Sequence, residues 1–308
     1  MIHIFIINSH AGNSPFSEEL RNRLASRIDI NYYIVHTRKS QTETELVKEV
    51  LSLFEGEKIR IYSCGGSGTF CNILNGISDF SKVELAFFPH GLTNDFLEVF
   101  GSDEKMFNDI DALIDGDVVN IDYIKTNHGV ALNTFSLGMD SLQIRKTGEF
   151  RPLSIFGKDV PYSLAIIAAV SLCKPIDLEI EIDGETRIGR YLEVFFGNGG
   201  VLGGILHCDL NPNCMDGKGY LCVKKKCTRI NLFKTFSALR KNNPNRKTYL
   251  DYEGLIDKEI KIRRRDGAKF EVDFDGELQE PQFEWTVKIE KQALPFVIPK
   301  GMEVRCEN

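Results

Sequence analysis

Apolar and polar positions along the first third of the chain alternate between a strand period and a helix period. Ile2 to Ile7 is a run of strand length, and the turn-forming residues Asn8 to Asn13 end it. Tyr32 to Val35 reads as a second strand. Ser40 followed three residues later by Glu43 forms a capping box, and Leu46, Val47, Val50, Leu51 and Phe54 lay an apolar stripe along the helix that it starts. A third strand at Ile59 to Tyr62 leads into a glycine-rich loop and a short helix from Phe70 to Ile77. Val83 to Phe88 is a strand ending at Pro89, and a helix from Asn94 to Phe100 is stopped by Gly101. Strands separated by helices predict a parallel sheet with helices on its faces.

The pattern changes after Asp117. Val118 to Lys125, Val130 to Phe135, Leu178 to Ile182, Tyr191 to Phe196 and Ile260 to Arg264 are strand-like, with few helical stretches between them. Asp183-Gly184 and Asp266-Gly267 are hairpin dipeptides. Phe270, Val272 and Phe274 alternate with charged residues, which places a further strand ahead of Asp275-Gly276 and delivers Glu277 at its end. The expected fold is an α/β N-terminal domain with a parallel sheet plus a mainly antiparallel β C-terminal domain. The expected boundaries are 1–120 and 121–294, on a change of texture near Asp117 to Asp122. Val160 to Cys173 is the longest apolar stretch, well short of the roughly 20 residues that span a bilayer. It is read as a core helix in preference to the wall of a lipid cleft.

Length agrees with two domains, because 308 residues are many for a single hydrophobic core. With 42% hydrophobic and 27% charged residues, the chain is of ordinary globular composition. The net charge of −6 argues against a nucleic-acid binder. Three segments, Lys224 to Lys226, Arg240 to Lys247 and Lys261 to Arg265, are basic, and each is either a solvated face or a contact for an anionic membrane surface. The chain starts on a strand and lacks the basic and apolar regions of a signal peptide, so the expected location is the cytoplasm, with peripheral contact at the inner face of the membrane as an option. Eight cysteines in such a chain are expected as reduced thiols. His207, Cys208, Cys214, Cys222 and Cys227 contain no CxxC pair, and the alternation around Cys222 fits a strand better than a zinc site.

Candidate chemistry is densest at Gly65-Gly66-Ser67-Gly68-Thr69, between a strand and a helix. Glycines there free backbone N–H groups to point at a phosphate, helped by the positive end of the helix. Other glycine motifs fail: neither Phe70 nor Cys71 supplies the third glycine of GxGxxG, no Gly-Lys-Ser/Thr follows, and Thr69 stands where a nucleophile elbow needs glycine.

The loop resembles the GGDGT signature of diacylglycerol kinases, sphingosine kinases and NAD kinases, and the other motifs resemble the diacylglycerol kinase-like lipid kinase branch. Asn8 to Gly12 is similar to the family's opening loop, with Ser9 for proline. Gly65 to Thr69 with Asn75-Gly76-Ile77 is similar to GGDGTxxxxxNGL, and Pro89 to Phe96 to PxGTGNDF. Asn133 to Asp140, Asn198 to Gly204, Asp216-Gly217 and Asp275-Gly276-Glu277 follow in the family's order, and Leu294 to Arg305 resembles a terminal strand that returns to the first domain, adding 295–308 to it. The NDF, DGE and closing-strand motifs place the chain away from the NAD kinases.

The resemblance implies ATP and Mg2+ as cofactors, a lipid acceptor, Glu277 as general base with Asp275 beside it in the catalytic turn, and a nucleotide site at Asn8, Thr37, Gly65, Gly66, Ser67, Gly68, Thr69, Asn72, Thr93, Asn94 and Asp95. It also implies a structural magnesium at Asp216 with carbonyls near Asn213 and Lys218, where oxygen-only ligation suits that ion. Read without the resemblance, Asp216-Gly217 and Asp275-Gly276 are equally well turns, and Thr93 or Asn94 a helix cap. The chain departs from the family at Ser67 for aspartate, Cys71 for asparagine, Asn72 for glutamate, and Leu92 with Thr93 for the usual threonine, and its segment after Asp216 is longer. Serine carries no negative charge at neutral pH, so two functions remain open: an ATP-dependent lipid kinase, or a nucleotide- or lipid-binding pseudokinase on the same scaffold.

Overall fold

The computed structural model describes residues 1–8, 15–38, 40–91, 94–157, 160–202, 206–208, 211–241, 243 and 246–303. The first half of the chain forms β1 (Ile2–Ile7), α1 (Pro15–Ala25), β2 (Asn31–His36), α2 (Glu43–Leu53), β3 (Ile59–Gly65), α3 (Ser67–Leu74), β4 (Val83–Pro89), a run of 3₁₀ turns (Asp95–Asn108) and α4 (Ile110–Ile114). Next come β5 (Asp117–Thr126), β6 (Val130–Ala131), β7 (Thr134–Gly138), α5 (Met139–Phe150), 3₁₀ turns at Arg151–Phe156, α6 (Val160–Leu172), β8 (Ile176–Ile182) and β9 (Glu185–Gly197). The remainder is β10 (Val201–Leu202), β11 (Leu206–His207), β12 (Gly219–Lys225), α7 (Arg229–Arg240), a 3₁₀ turn (Arg246–Tyr249), β13 (Tyr252–Ile256), β14 (Ile260–Arg264), β15 (Asp273–Phe274), β16 (Glu277–Leu278) and β17 (Glu284–Ile298).

β2, β1, β3 and β4 lie side by side, all parallel, and every residue of β1 and β3 is buried, as expected of inner strands covered on both faces. β17 joins the two halves of the molecule. Its last residues pair parallel to β4, with Phe296 opposite Leu85, while its first pair antiparallel to β14, with Val287 opposite Ile260. β5 runs antiparallel along β17 with an irregularity between Glu290 and Leu294, where Gln292 takes a positive φ of 46°. From β14 the sheet continues antiparallel through β8, β9, β7, β15 and β16. The architecture is therefore an N-terminal α/β domain, a mainly antiparallel C-terminal region, and a final strand returning to the first domain, as the sequence implied. One apolar cluster gathers around β1, β3, β4 and the end of β17, and others lie within the C-terminal region around Trp285 and around Phe195.

Several local expectations are corrected. The capping box at α2 is Thr42 with Glu45, two residues beyond Ser40: Thr42 Oγ1 accepts from Glu45 N at 3.2 Å and Glu45 Oε2 from Thr42 N at 3.0 Å. α3 begins at Ser67, so Ser67, Gly68 and Thr69 belong to its first turn. The segment expected as one helix from Asn94 is a set of 3₁₀ turns reaching Asn108, kinked at Gly101, whose φ is 60°. Val130 to Phe135 is interrupted as a strand at Leu132 and Asn133, because backbone N–H groups there turn toward the carboxylate of Asp275. Asp266-Gly267 closes a turn but no hairpin, since β14 is flanked by β8 and β17. Before Asp275 only Asp273 and Phe274 pair as strand, with Phe270 bridging Gln282.

Two helices, α5 and α7, lie in the half expected to have few. α5 buries Met139 together with the polar Asp140, Ser141 and Gln143, so no apolar stripe announces it. α7 is capped by Thr228 and buries Leu232, Phe236 and Leu239, a spacing that was legible. Among the described residues, no helix is long and apolar enough to cross a membrane. The described cysteines are free thiols, six of them buried, and no group of three or more His, Cys, Asp or Glu among the described residues is arranged to hold a metal.

Candidate active site

The parallel strands end together, and Asn8, Thr37, Gly65 to Thr69, Asn94 and Asp95 stand on that carboxyl edge, where ligands of open α/β sheets bind, while Asn72 lies further along α3. Asn8 follows β1, and its Nδ2 donates to Thr69 Oγ1 at 2.8 Å, tying the first strand to the first turn of α3. Thr37 follows β2 and is buried, its N–H bonded to Ile7 O at 3.0 Å. His90, after β4, donates its N–H to Gly65 O at 2.9 Å. Beside it Gly91 meets Gly66 backbone to backbone, an approach that any side chain at position 91 would block. Gly65 is closed in by Thr69: a Cβ there would lie 2.6 Å from Thr69 Oγ1. The N–H groups at the start of α3 have no side-chain cap, which leaves an anion cradle of backbone donors. Asn94 and Asp95 lie on the same edge, and Asn94 Oδ1 is buried with no hydrogen-bond partner among the described residues. Thr93, and the opening loop from Ser9 to Gly12, lie outside the described residues.

Glu277 reaches this cradle from the other half of the chain. Asp275 and Gly276 take positive φ values of 50° and 85°, the tight turn that pairs Phe274 with Glu277. The turn lays the Glu277 side chain against Gly68, so that a Cβ on Gly68 would collide with Oε1 and lie 3.0 Å from Cδ. Although Glu277 is a solvent-exposed residue overall, loss of water around its carboxyl raises its pKa above the usual glutamate value, and the charges of Glu43 and Asp275 push in the same direction. Glu43, in the first turn of α2, accepts from Asn72 Nδ2 at 3.3 Å. A carboxylate thus returns to the neighbourhood of position 72, where the family has glutamate and this chain has Asn72.

Asp275 is placed differently from Glu277. Its Oδ1 accepts from Asn133 N at 2.9 Å and Thr134 N at 2.7 Å, and its Oδ2 from Leu132 N at 2.8 Å. Burial lifts its carboxyl to about 6 against the pull of these three donors. With its oxygens engaged by backbone, Asp275 fixes the turn that presents Glu277, and we assign it as a positioning residue. Asp275→Ala strands three N–H groups in a buried setting and is expected to cost about 3 kcal/mol or more of stability, read as a lower urea midpoint at unchanged m-value.

A second group of carboxyls lies just behind this turn. Ser136 Oγ donates to Asp140 Oδ2 at 2.8 Å and lies 2.5 Å from Asp273 Oδ2, while Ser141 Oγ donates to Asp273 Oδ2 at 3.1 Å and Asp140 N to Glu193 Oε2 at 3.0 Å. Burial raises all three carboxyls, with mutual charge adding to the rise of Asp273 and Glu193. Raised folded-state values mean that the native protein binds more protons than the unfolded chain between the two values, so these groups and Asp275 favour folding as pH falls. His3, His36 and His90, held below the ordinary imidazole value by burial, act in the opposite sense below about 6.5, so the carboxyls are read as a difference: the wild type is expected to gain stability relative to Asp273→Asn when pH drops from about 7.5 to about 5.5, as followed by urea midpoints. A difference that does not change with pH would speak against protons being held here. Asp140 also lines a narrow cleft between α5, α6 and α7 together with Gln143, Tyr162, Ile166, Val170, Leu206 and Phe236, which combines three polar groups with apolar walls.

The expected metal loop is tied to β5 and β17. Asp122, fully buried, accepts from Gly217 N at 2.6 Å and from Gln292 N at 2.7 Å, and its own N–H bonds Cys214 O at 2.6 Å. Asp216 Oδ1 accepts from Lys218 N at 2.9 Å. Asp216 also raises the pKa of Asp122 by its charge, after burial. Both oxygens of Asp122 are taken by backbone N–H groups, so Asp216 is the carboxylate of this loop whose chemistry suits a hard cation such as magnesium.

Some motif residues turn out to be structural. Asn75 donates to Val130 O at 2.7 Å and accepts from Val130 N at 2.9 Å, joining α3 to β6, and Gly76 lets α3 close on Val47 of α2. Asn198 donates to Asp122 O and Leu132 O at 2.8 and 2.9 Å, and Asn133 to Val201 O at 2.9 Å. Cys71 is buried behind Asp275 in an apolar cluster. The residues that sequence reasoning did not assign to the site are Asp122, Tyr162, Glu193 and Asp273, with Glu43, which it read only as a helix cap. Only Asp140 carried a signal, as the end of the Asn133 to Asp140 motif.

Comparison with known proteins bears on the fold that carries this geometry. Residues 3–126 match the diacylglycerol kinase catalytic domain. A Staphylococcus epidermidis protein named "Putative lipid kinase" is 24% identical over 77% of this chain and 75% of its own, and a Staphylococcus carnosus protein of the same name is 25% identical over 70% and 69%. The crystal structure of a diacylglycerol kinase from Bacillus anthracis superposes with a TM-score of 0.73 at 23% identity, covering 98% of each chain. Residues 3–126 are thus similar to a diacylglycerol kinase catalytic domain, and the chain as a whole, with its returning final strand, has the fold of the diacylglycerol kinase structure from Bacillus anthracis.

Proposed function

We propose that this protein transfers the terminal phosphoryl group of ATP to the hydroxyl of a diacylglycerol-like lipid, with Glu277 as general base. The observation that carries this reading is the seating of the Glu277 carboxylate on Gly68 of the phosphate cradle. A base in that position stands where the acceptor hydroxyl must meet the terminal phosphorus. The acceptor oxygen bonds to phosphorus, the bond from phosphorus to the bridging oxygen of the nucleotide breaks, and the hydroxyl proton passes to Glu277. The backbone N–H groups from Gly66 to Thr69 hold the phosphates, while Asn8, Thr37, Asn94 and Asp95 surround the nucleotide on the strand edge, Asn94 Oδ1 being open to a donor, and Asn72, within α3, acts through Glu43. Magnesium, held by the Asp216 carboxylate and the carbonyls of Asn213 and Lys218, would bring positive charge to the paired acids of that loop.

Turnover of labelled ATP against a panel of lipid alcohols tests the proposal, and calorimetry showing no ATP binding at millimolar concentration would overturn its nucleotide half. Ser67 decides between a working and an impaired enzyme. A carboxylate at this first position of α3 is favoured by the helix end, and Ser67→Asp is expected to raise turnover by about tenfold, or about 1.4 kcal/mol of transition-state stabilisation, without a comparable gain in ATP affinity. Robust wild-type turnover that drops in this variant would instead show that Glu43 already supplies the missing charge.

A further inference from the structure

A polyphosphate seated on the cradle needs positive charge, and the strand edge is short of it. Glu43, Asp95 and Glu277 bring carboxylates to this edge, while the backbone N–H groups at the start of α3 carry only partial charge. In the loops that follow β1, β2, β3 and β4, the one Lys or Arg among the described residues is Arg38. His90 adds no cation, since burial holds its imidazole below the ordinary value. Lys39 lies outside the described residues.

The backbone of Arg38 is fixed while its side chain is left open. Thr37 N–H bonds Ile7 O at 3.0 Å, which carries the chain alongside β1 for one residue past β2. Arg38 then bridges Gln41 in a tight turn, with Gln41 N donating to Arg38 O at 3.2 Å. α2 starts two residues on, and its first turn is fastened to α3: Asn72 Nδ2 donates to Glu43 Oε2 at 3.3 Å, and Thr44 Oγ1 donates to Asn72 O at 2.7 Å. The turn is therefore anchored to β1 on one side and, through α2, to the cradle helix on the other. The Arg38 side chain is exposed and makes no ion pair among the described residues, whereas Arg23, Arg27 and Arg60 of the same half each pair with a carboxylate.

We propose that Arg38 binds the phosphate chain of the nucleotide, as the charge partner that the carboxylate-bearing edge otherwise lacks. β2 is separated from β3 by β1 alone, and neighbouring strands lie about 4.8 Å apart, so Arg38 stands about 10 Å from the cradle. An extended arginine side chain and a phosphate chain together bridge that gap. The planar guanidinium takes two phosphate oxygens at once and keeps its charge at every working pH. Affinity then depends on the phosphates of the donor more than on its nucleoside. This assignment rests on the nucleotide half of the proposed function.

Calorimetry of the full chain with ATP, and ligand-observed NMR with adenosine, test it in excess magnesium. Arg38→Gln is expected to weaken ATP binding by about thirtyfold at an unchanged melting temperature and with adenosine binding unchanged, and Arg38→Lys to recover part of the loss. Wild-type ATP affinity is also expected to fall more steeply with added salt than that of Arg38→Gln. An ATP affinity that Arg38→Gln leaves unchanged, or an equal loss for ATP and adenosine, would overturn the assignment and leave the kinase reading standing. Failure of that reading shows separately, as wild-type protein that binds no ATP at millimolar concentration, and would overturn the role of Arg38 with it.

Discussion

Glu277→Gln is expected to lower lipid phosphorylation by about a thousandfold while leaving nucleotide affinity nearly unchanged. Glutamine keeps the shape of the side chain against Gly68 but cannot take the acceptor proton. The base acts on the lipid hydroxyl and not on the phosphate donor, so calorimetric ATP binding is spared while single-turnover transfer is lost. The pH profile supplies a second reading. Glu277 must be ionised to act, and since burial, Glu43 and Asp275 raise its pKa, wild-type activity is expected to fall with decreasing pH at a value above that of an ordinary glutamate. Glu43→Gln removes one raising charge and should move that limb to lower pH. Undiminished turnover in Glu277→Gln would remove this residue from the mechanism.

Gly68→Ala is expected to cost about a hundredfold in turnover without costing stability. Gly68 is the second residue of α3, has a negative φ and lies inside a helix, where alanine is favoured over glycine by about 1 kcal/mol. The new methyl group has no room beside the Glu277 carboxylate and must push it off the cradle. Melting temperature and turnover should therefore move independently, with the first unchanged or raised and the second reduced. Adding Glu277→Asp, which shortens the displaced side chain, should recover part of the loss. A fully active Gly68→Ala would mean that Glu277 works from another position, and the seating on which the proposed function rests would be abandoned.

What the sequence by itself determined is what depends on neighbours along the chain. Buried runs such as Ile2 to Ile7 and Val83 to Phe88 announced inner strands because no polar face interrupts them, and the glycines between β3 and α3 announced an anion loop. Asp183-Gly184 announced its hairpin because such residues accept positive φ readily, whereas Asp266-Gly267, of the same composition, closes only a turn because the strand before it pairs elsewhere. The order of the motifs did the rest, including the return of the last strand to the first domain.

Only the tertiary structure decided which of these residues act together. Asp275 meets the N–H of Leu132 across 143 residues of chain, and no local pattern records that a carboxylate there would break the strand from Val130 to Phe135 and hold the turn bearing Glu277. α5 escaped notice because the face it buries carries Asp140, Ser141 and Gln143, which are tolerable inside only when the partners Ser136, Asp273 and Glu193 arrive from other strands. Glu43 was visible only as a helix cap until α2 packed on α3 and brought it to Asn72. The apolar stretch from Val160 to Cys173 was read as core, yet the fold covers one side of it and leaves Ile167 and Leu172 in the open. Hydrophobicity states that a side chain gains by leaving water; which surface covers it is fixed by elements far away in the chain.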